Sequence, residues 1–209
     1  MDNVLQSELP FFFALVLGFT HAFEADHLAA IGNMATRRDR VVLAMKDGAF
    51  WGLGHSTTIL LISVLVLLGK QHIDSGVFAI FEAGVGLMLI LLGIWRLRQA
   101  WQEGEHPHFD KKDRHGAAYG IGAVHGLAGS GALLALVATQ LSSLSITLFF
   151  LLLFGIGSVV GMLLAASIFS LPFSKLWLSN RKFQLGLILL SSILCLYLGG
   201  QLLFENILT

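Results

Sequence analysis

Charge is scarce in this chain. Asp, Glu, Lys and Arg make up 12% of its 209 residues, where a water-soluble domain carries roughly 25%. Hydrophobic residues reach 56% and the mean hydropathy is +0.79, which excludes a water-soluble fold. Cysteine is reduced to Cys195, so an intramolecular disulfide, a dithiol relay and the Cys-based zinc sites are excluded as well. With 13 basic against 13 acidic residues there is no cationic stripe for nucleic acid. GxxxxGK[ST] and HExxH are both missing, which removes the P-loop ATPases and the helical zinc-peptidase motif. The first residues carry Asp2 and Glu8 with no early Lys or Arg, the wrong polarity for a signal peptide, so the first apolar segment is expected to be retained.

What is there is length in apolar runs. A bilayer core of about 30 Å takes roughly 20 residues of helix, and six stretches qualify: 9–33, 46–69, 76–96, 117–139, 143–171 and 183–204. Backbone in lipid must hydrogen-bond within its own helix, so the expected fold is all-α, a single polytopic transmembrane domain over 1–209. Charge concentrates at the joints 37–40, 70–74, 102–115 and 179–182. Numbering the joints alternately puts every Lys and Arg except Lys70 on one side of the membrane. Cytoplasmic loops are the ones enriched in these residues, so both termini are expected outside the cytoplasmic membrane.

The two halves resemble each other. A shift of 104 residues lays Leu17-Gly18-Phe19-Thr20-His21 on Ile121-Gly122-Ala123-Val124-His125; a shift of 103 lays Gly52-Leu53-Gly54-His55 on Gly155-Ile156-Gly157-Ser158. Phe81-Glu82-Ala83-Gly84 falls on Phe183-Gln184-Leu185-Gly186. Three matches in order predict a duplicated three-helix unit, with repeat 1 over about 9–100, a polar loop over about 101–116 and repeat 2 over about 117–205. An odd number of crossings per unit inverts the second copy, the plan of many secondary transporters. Gly18, Gly52, Gly54, Gly84 and Gly122 are expected to permit close helix packing, and Phe11, Phe12 and Phe13 to face lipid.

Ionisable groups inside a bilayer cost at least a few kcal/mol each and face a cavity or a partner. The first span holds His21, Glu24, Asp26 and His27; the second holds His55 followed by Ser56 and Thr57; the third has Glu82 and the fourth His125. Imidazole with carboxylate, without thiolate, suits a divalent transition metal. At about 100° per residue, an unbroken helix cannot aim His21, Asp26 and His27 at one ion. Either the span unwinds there, which would free backbone amides for a nitrogen-rich Ni(II) site, or Asp26 orients a histidine instead of binding metal. His106, His108 and His115, set among acids in the polar loop, form a candidate auxiliary metal-binding tract.

Three motifs together resemble the nickel/cobalt transporter superfamily, and within it the short UreH-like branch. They are His21-Ala22-Phe23-Glu24-Ala25-Asp26-His27, Gly54-His55-Ser56-Thr57 and His125-Gly126-Leu127-Ala128-Gly129-Ser130. The likeness runs from about residue 15 to 165, and the extra helices of the eight-span permeases are missing. The resemblance implies movement of Ni(II) or Co(II) as cargo, with no permanent cofactor, and gives His21, Asp26, His27 and His55 the metal positions. Glu24, Ser56, Thr57, Glu82 and His125 are left to support or line the path. It also points toward a nickel-enzyme maturation pathway as partner. A transporter, not an enzyme, is expected; the rivals are an exporter of a sulfite-like anion, an intramembrane metal-dependent hydrolase and a haem-binding electron carrier.

Overall fold

A computed structural model of the chain describes residues 2–69, 75–102, 115–140, 144–174 and 181–207. Among them the order is α1 (Asp2–His21), α2 (Ala25–Ala35), α3 (Val41–Gly69), α4 (Ser75–Gln102), α5 (His115–Gln140), α6 (Leu144–Ser170), a 3-10 turn (Leu171–Phe173) and α7 (Arg181–Ile207). No strand occurs among the described residues. Four stretches are long and apolar enough to cross a membrane: Val41–Val66, Gly76–Gln102, Leu144–Phe173 and Lys182–Ile207. The fold is that of a multi-pass membrane protein.

Most helices run a few residues beyond the stretches read from hydropathy, because amphipathic ends continue the helix into the polar zone. The larger difference is in the first span, which is two helices. Phe23 N–H donates to Thr20 C=O (2.9 Å) and Glu24 N–H to His21 C=O (3.1 Å), tightening the end of α1. Glu24 then turns to extended backbone (φ −64°, ψ 154°) and α2 begins. Asp26 lies in the first turn of α2, where the helix dipole favours an acid. Its Oδ1 accepts the His27 N–H at 2.8 Å, meeting one of the donors a helix start leaves without an internal partner.

The bundle buries polar side chains among apolar ones and is apolar outside. His27, Asn33, His55, Ser63, His125, Ser158 and Ser192 are buried, while Leu61, Leu65, Ile80, Ile193 and Tyr197 lie more than half exposed on its surface. That distribution suits a lipid surround. α3 packs along α5 and α6, α1 along α6, α4 along α7, and α2 fits against α6 and α7. Small residues make these contacts close. A Cβ on Gly18 would strike the Phe154 carbonyl and one on Gly122 the Trp51 carbonyl; Gly157 meets Leu15 and Gly54 meets Tyr119 in the same way. Gly84 does not share this role, since nothing lies within 4 Å of its Cβ position. Phe12 and Phe13 are exposed as expected, but Phe11 packs edge-on to Phe149 at 4.8 Å.

One end of the bundle gathers buried charge. Arg38 bonds Asp47 through Nε and Nη2, and Asp47 Oδ1 also pairs with His115 Nδ1 at 2.8 Å. Arg96 donates to Thr36 Oγ1 at 2.8 Å, and the Arg37 guanidinium lies 3.5 Å over the Trp95 ring. The α2–α3 joint, the end of α4 and the start of α5 thus meet.

Candidate metal centre

The break between α1 and α2 decides which side chains converge. On a continuous helix His21 and His27 would stand about 120° apart; after the turn at 22–24 their ring centroids are 4.4 Å apart. α3 brings in His55, whose ring lies 5.3 Å from His21 and 5.0 Å from His27. His21 Nε2 and His55 Nε2 are separated by 3.2 Å. Two nitrogens held at about 2.1 Å by one ion lie roughly 3.0–3.4 Å apart. One nitrogen from each of His21, His27 and His55 falls within 4.8 Å of the others.

Carboxylates hold the opposite ring edges. His21 Nδ1 meets Glu24 Oε1 at 2.9 Å and His27 Nδ1 meets Asp26 Oδ1 at 3.0 Å. His27 Nε2 is buried with no hydrogen-bond partner, an expensive state for a polar atom. A histidine fixed by a carboxylate at one nitrogen and bare at the other is the usual form of a metal-ligating imidazole. The span is broken between α1 and α2, and Asp26 is hydrogen-bonded to the His27 ring.

Asp26 also reaches across the molecule, its Oδ2 lying 2.9 Å from His125 Nε2 on α5. Asp26, His27 and His125 form a second group with donor atoms within 4.8 Å of one another. Trp51, fully buried, sits with its ring 5.4 Å from those of both His27 and His125. Sequence reasoning passed over Trp51 because an aromatic in an apolar run carries no distinguishing signal. It also missed Asp47, although a lone acid near the start of an apolar helix was visible.

The other expected residues are dispersed. Glu24 is 59% exposed while bonding His21. Ser56 Oγ donates to the Gly155 carbonyl at 3.2 Å. Thr57 lines an apolar groove of about 320 Å³ between α3 and α6, with Leu53, Leu152 and Ile156. Glu82 is half-buried on α4 and belongs to neither histidine group. His115 is not in a loop: it is the first residue of α5, stacked on Phe50 at 5.2 Å and bonded to Asp47. His106 and His108 lie outside the described residues.

No family model and no solved structure matches the chain. Comparison with curated proteins is more informative. The urease accessory protein UreH of Bacillus sp. (strain TB-90) is 31% identical over 183 residues, covering 81% of this chain and 78% of that one. A Methanocaldococcus jannaschii protein named as a nickel/cobalt efflux system is 30% identical over 181 residues, covering 81% and 80%. This chain belongs to the nickel/cobalt transporter superfamily, in its UreH-like branch. A shorter likeness, 43% over 66 residues, links it to the cobalt transport protein NhlF of Rhodococcus rhodochrous, covering 30% of this chain and 18% of that protein. A cluster of buried imidazoles backed by carboxylates offers nitrogen donors of the kind that a divalent transition ion takes.

Proposed function

We propose that this chain is a secondary transporter moving Ni(II) or Co(II) across the cytoplasmic membrane through a site made by His21, His27 and His55, with Asp26 holding His27 in register. The observation that carries this reading is the convergence of those three imidazoles on a buried point with His27 Nε2 bare. The relatives named for nickel and cobalt supply the choice of metal. Cys195, the one thiol, is engaged elsewhere, donating to the Ala29 carbonyl at 3.2 Å, so the ligands are nitrogen and oxygen. An anion exporter gains no support, because the buried Arg38 and Arg96 are held by Asp47 and Thr36.

The architecture we assign is six crossings in two inverted repeats, α1 and α2 together forming the first. Reciprocal packing supports it: α1 against α6 is mirrored by α5 against α3, and α2 against α7 by α5 against α4. The glycines agree position by position. Gly18 on Phe154 corresponds to Gly122 on Trp51, and Gly157 on Leu15 to Gly54 on Tyr119, at the offsets of 104 and 103 residues read from the sequence. The charge asymmetry of the joints supports a topology with both termini outside.

The test is flux. Purified protein in liposomes carrying an internal metal indicator should pass Ni(II) or Co(II) faster than empty liposomes, and His55→Ala should abolish the difference. Flux equal to that of protein-free liposomes, with correctly folded protein, contradicts the reading.

A further inference from the structure

The two histidines that the internal repeat aligns, His21 and His125, flank a single imidazole. Their ring centroids lie 4.4 and 4.3 Å from that of His27. One side of His27 is served by His21 and His55, the other by Asp26 and His125, and each set brings its donor atoms within 4.8 Å of one another. Asp26 Oδ2 and His125 Nε2 stand 2.9 Å apart, a hydrogen bond that aims both donor atoms at one point, where an ion would replace the shared proton. His27 Nε2, the ring nitrogen not held by Asp26, is buried without a hydrogen-bond partner, so the imidazole common to both sets has unmet capacity. The sets are alike in access: each joins one part-exposed side chain, His21 at 14% or Asp26 at 28%, to buried imidazoles.

We infer that Asp26, His27 and His125 form a second metal position overlapping the first, and that the ion advances by exchanging His21 and His55 for Asp26 and His125 while His27 retains it. The inference deepens the metal-site reading above and rests on it. The His21 set is drawn from one repeat alone and the His125 set partly from the other, so the exchange carries the ion between the repeats. A shared ligand means that the ion is never released bare into a low-dielectric interior, where an unpaired charge is prohibitively costly. Ligation at His125 Nε2 requires the neutral tautomer protonated at Nδ1, so the proton that Nε2 shares with Asp26 Oδ2 is released as one is taken up at Nδ1, and no electron moves. Relative rocking of the two repeats, the motion such symmetry permits, then needs only a short displacement around His27.

The discriminating variant is His125→Gln, which retains a donor for Asp26 Oδ2 but removes the imidazole. Binding of Ni(II) to purified protein is measured by equilibrium dialysis, and flux in liposomes. The expected result is retained binding of one ion with flux reduced roughly tenfold or more, the scale of losing a supporting metal contact. Metal-free melting checks folding, and His125→Asn serves if the Gln variant melts early. Flux equal to wild type overturns the inference and leaves the first site intact. Loss of binding together with flux also overturns it, because His125 would then belong to a single site. If wild-type protein binds no Ni(II) or Co(II), the underlying metal-site reading falls and this inference with it.

Discussion

Asp26 does the most at the scale of single residues. One carboxylate satisfies the start of α2, holds the His27 ring and reaches His125 ninety-nine positions along the chain. Trp51 is positioned by a different means, its carbonyl lying where a Cβ on Gly122 would be. Gly122→Val should therefore push α3 from α5 and disturb the Trp51 ring beside His27 and His125. Overpacking of this kind costs about 1–3 kcal/mol, and melting of the detergent-solubilised variant should fall accordingly. Gly84→Ala, with open space around its Cβ position, should melt like the parent. A Gly122→Val protein as stable as the parent would show that this approach is not tight.

Among elements, the pair α1–α2 was the most legible in the sequence. Four ionisable groups within seven residues do not fit one face of a helix, so a break or a supporting role for Asp26 followed from angles alone. Contacts between distant elements were not legible, because nothing local marks them. The Asp26–His125 bond and the Arg38–Asp47–His115 cluster join segments far apart in sequence. Arg38 and Asp47 are buried, a burial that nothing in their local sequence marks. The same cluster fixes the α2–α3 joint to the start of α5, and removing Asp47 takes an acidic partner from both buried Arg38 and His115. Asp47→Ala should destabilise the protein by about 3–5 kcal/mol. The double variant Arg38→Ala/Asp47→Ala should recover part of that loss, with melting temperatures around a double-mutant cycle as the measurement. Strict additivity would mean that the pair contributes no coupling.

For the whole molecule, near-symmetric packing surrounds an asymmetric site. The glycine contacts of the two halves correspond, but Asp26 and His55 face Ser130 and Ser158 in the sequence alignment of the halves. Chemistry is concentrated in the first half while the second contributes His125, a division that hydropathy hides and that the offset of 104 residues discloses. The assigned topology places the N-terminus outside and the joint between α4 and α5 in the cytoplasm. In a Cys195→Ala background, Asn3→Cys in intact cells should react with an impermeant maleimide, and Asp110→Cys only after the cells are opened. Labelling of Asp110→Cys from outside would reverse the orientation. The central claim is that His21, His27 and His55 hold the transported ion. It is met most directly by metal analysis with X-ray absorption on purified protein loaded with Ni(II), in the parent and in His27→Ala. One nickel per chain in a shell of nitrogen and oxygen, with imidazole scattering in the parent and no bound nickel in the variant, is the expected outcome. Equal nickel content and an unchanged spectrum in His27→Ala would contradict it.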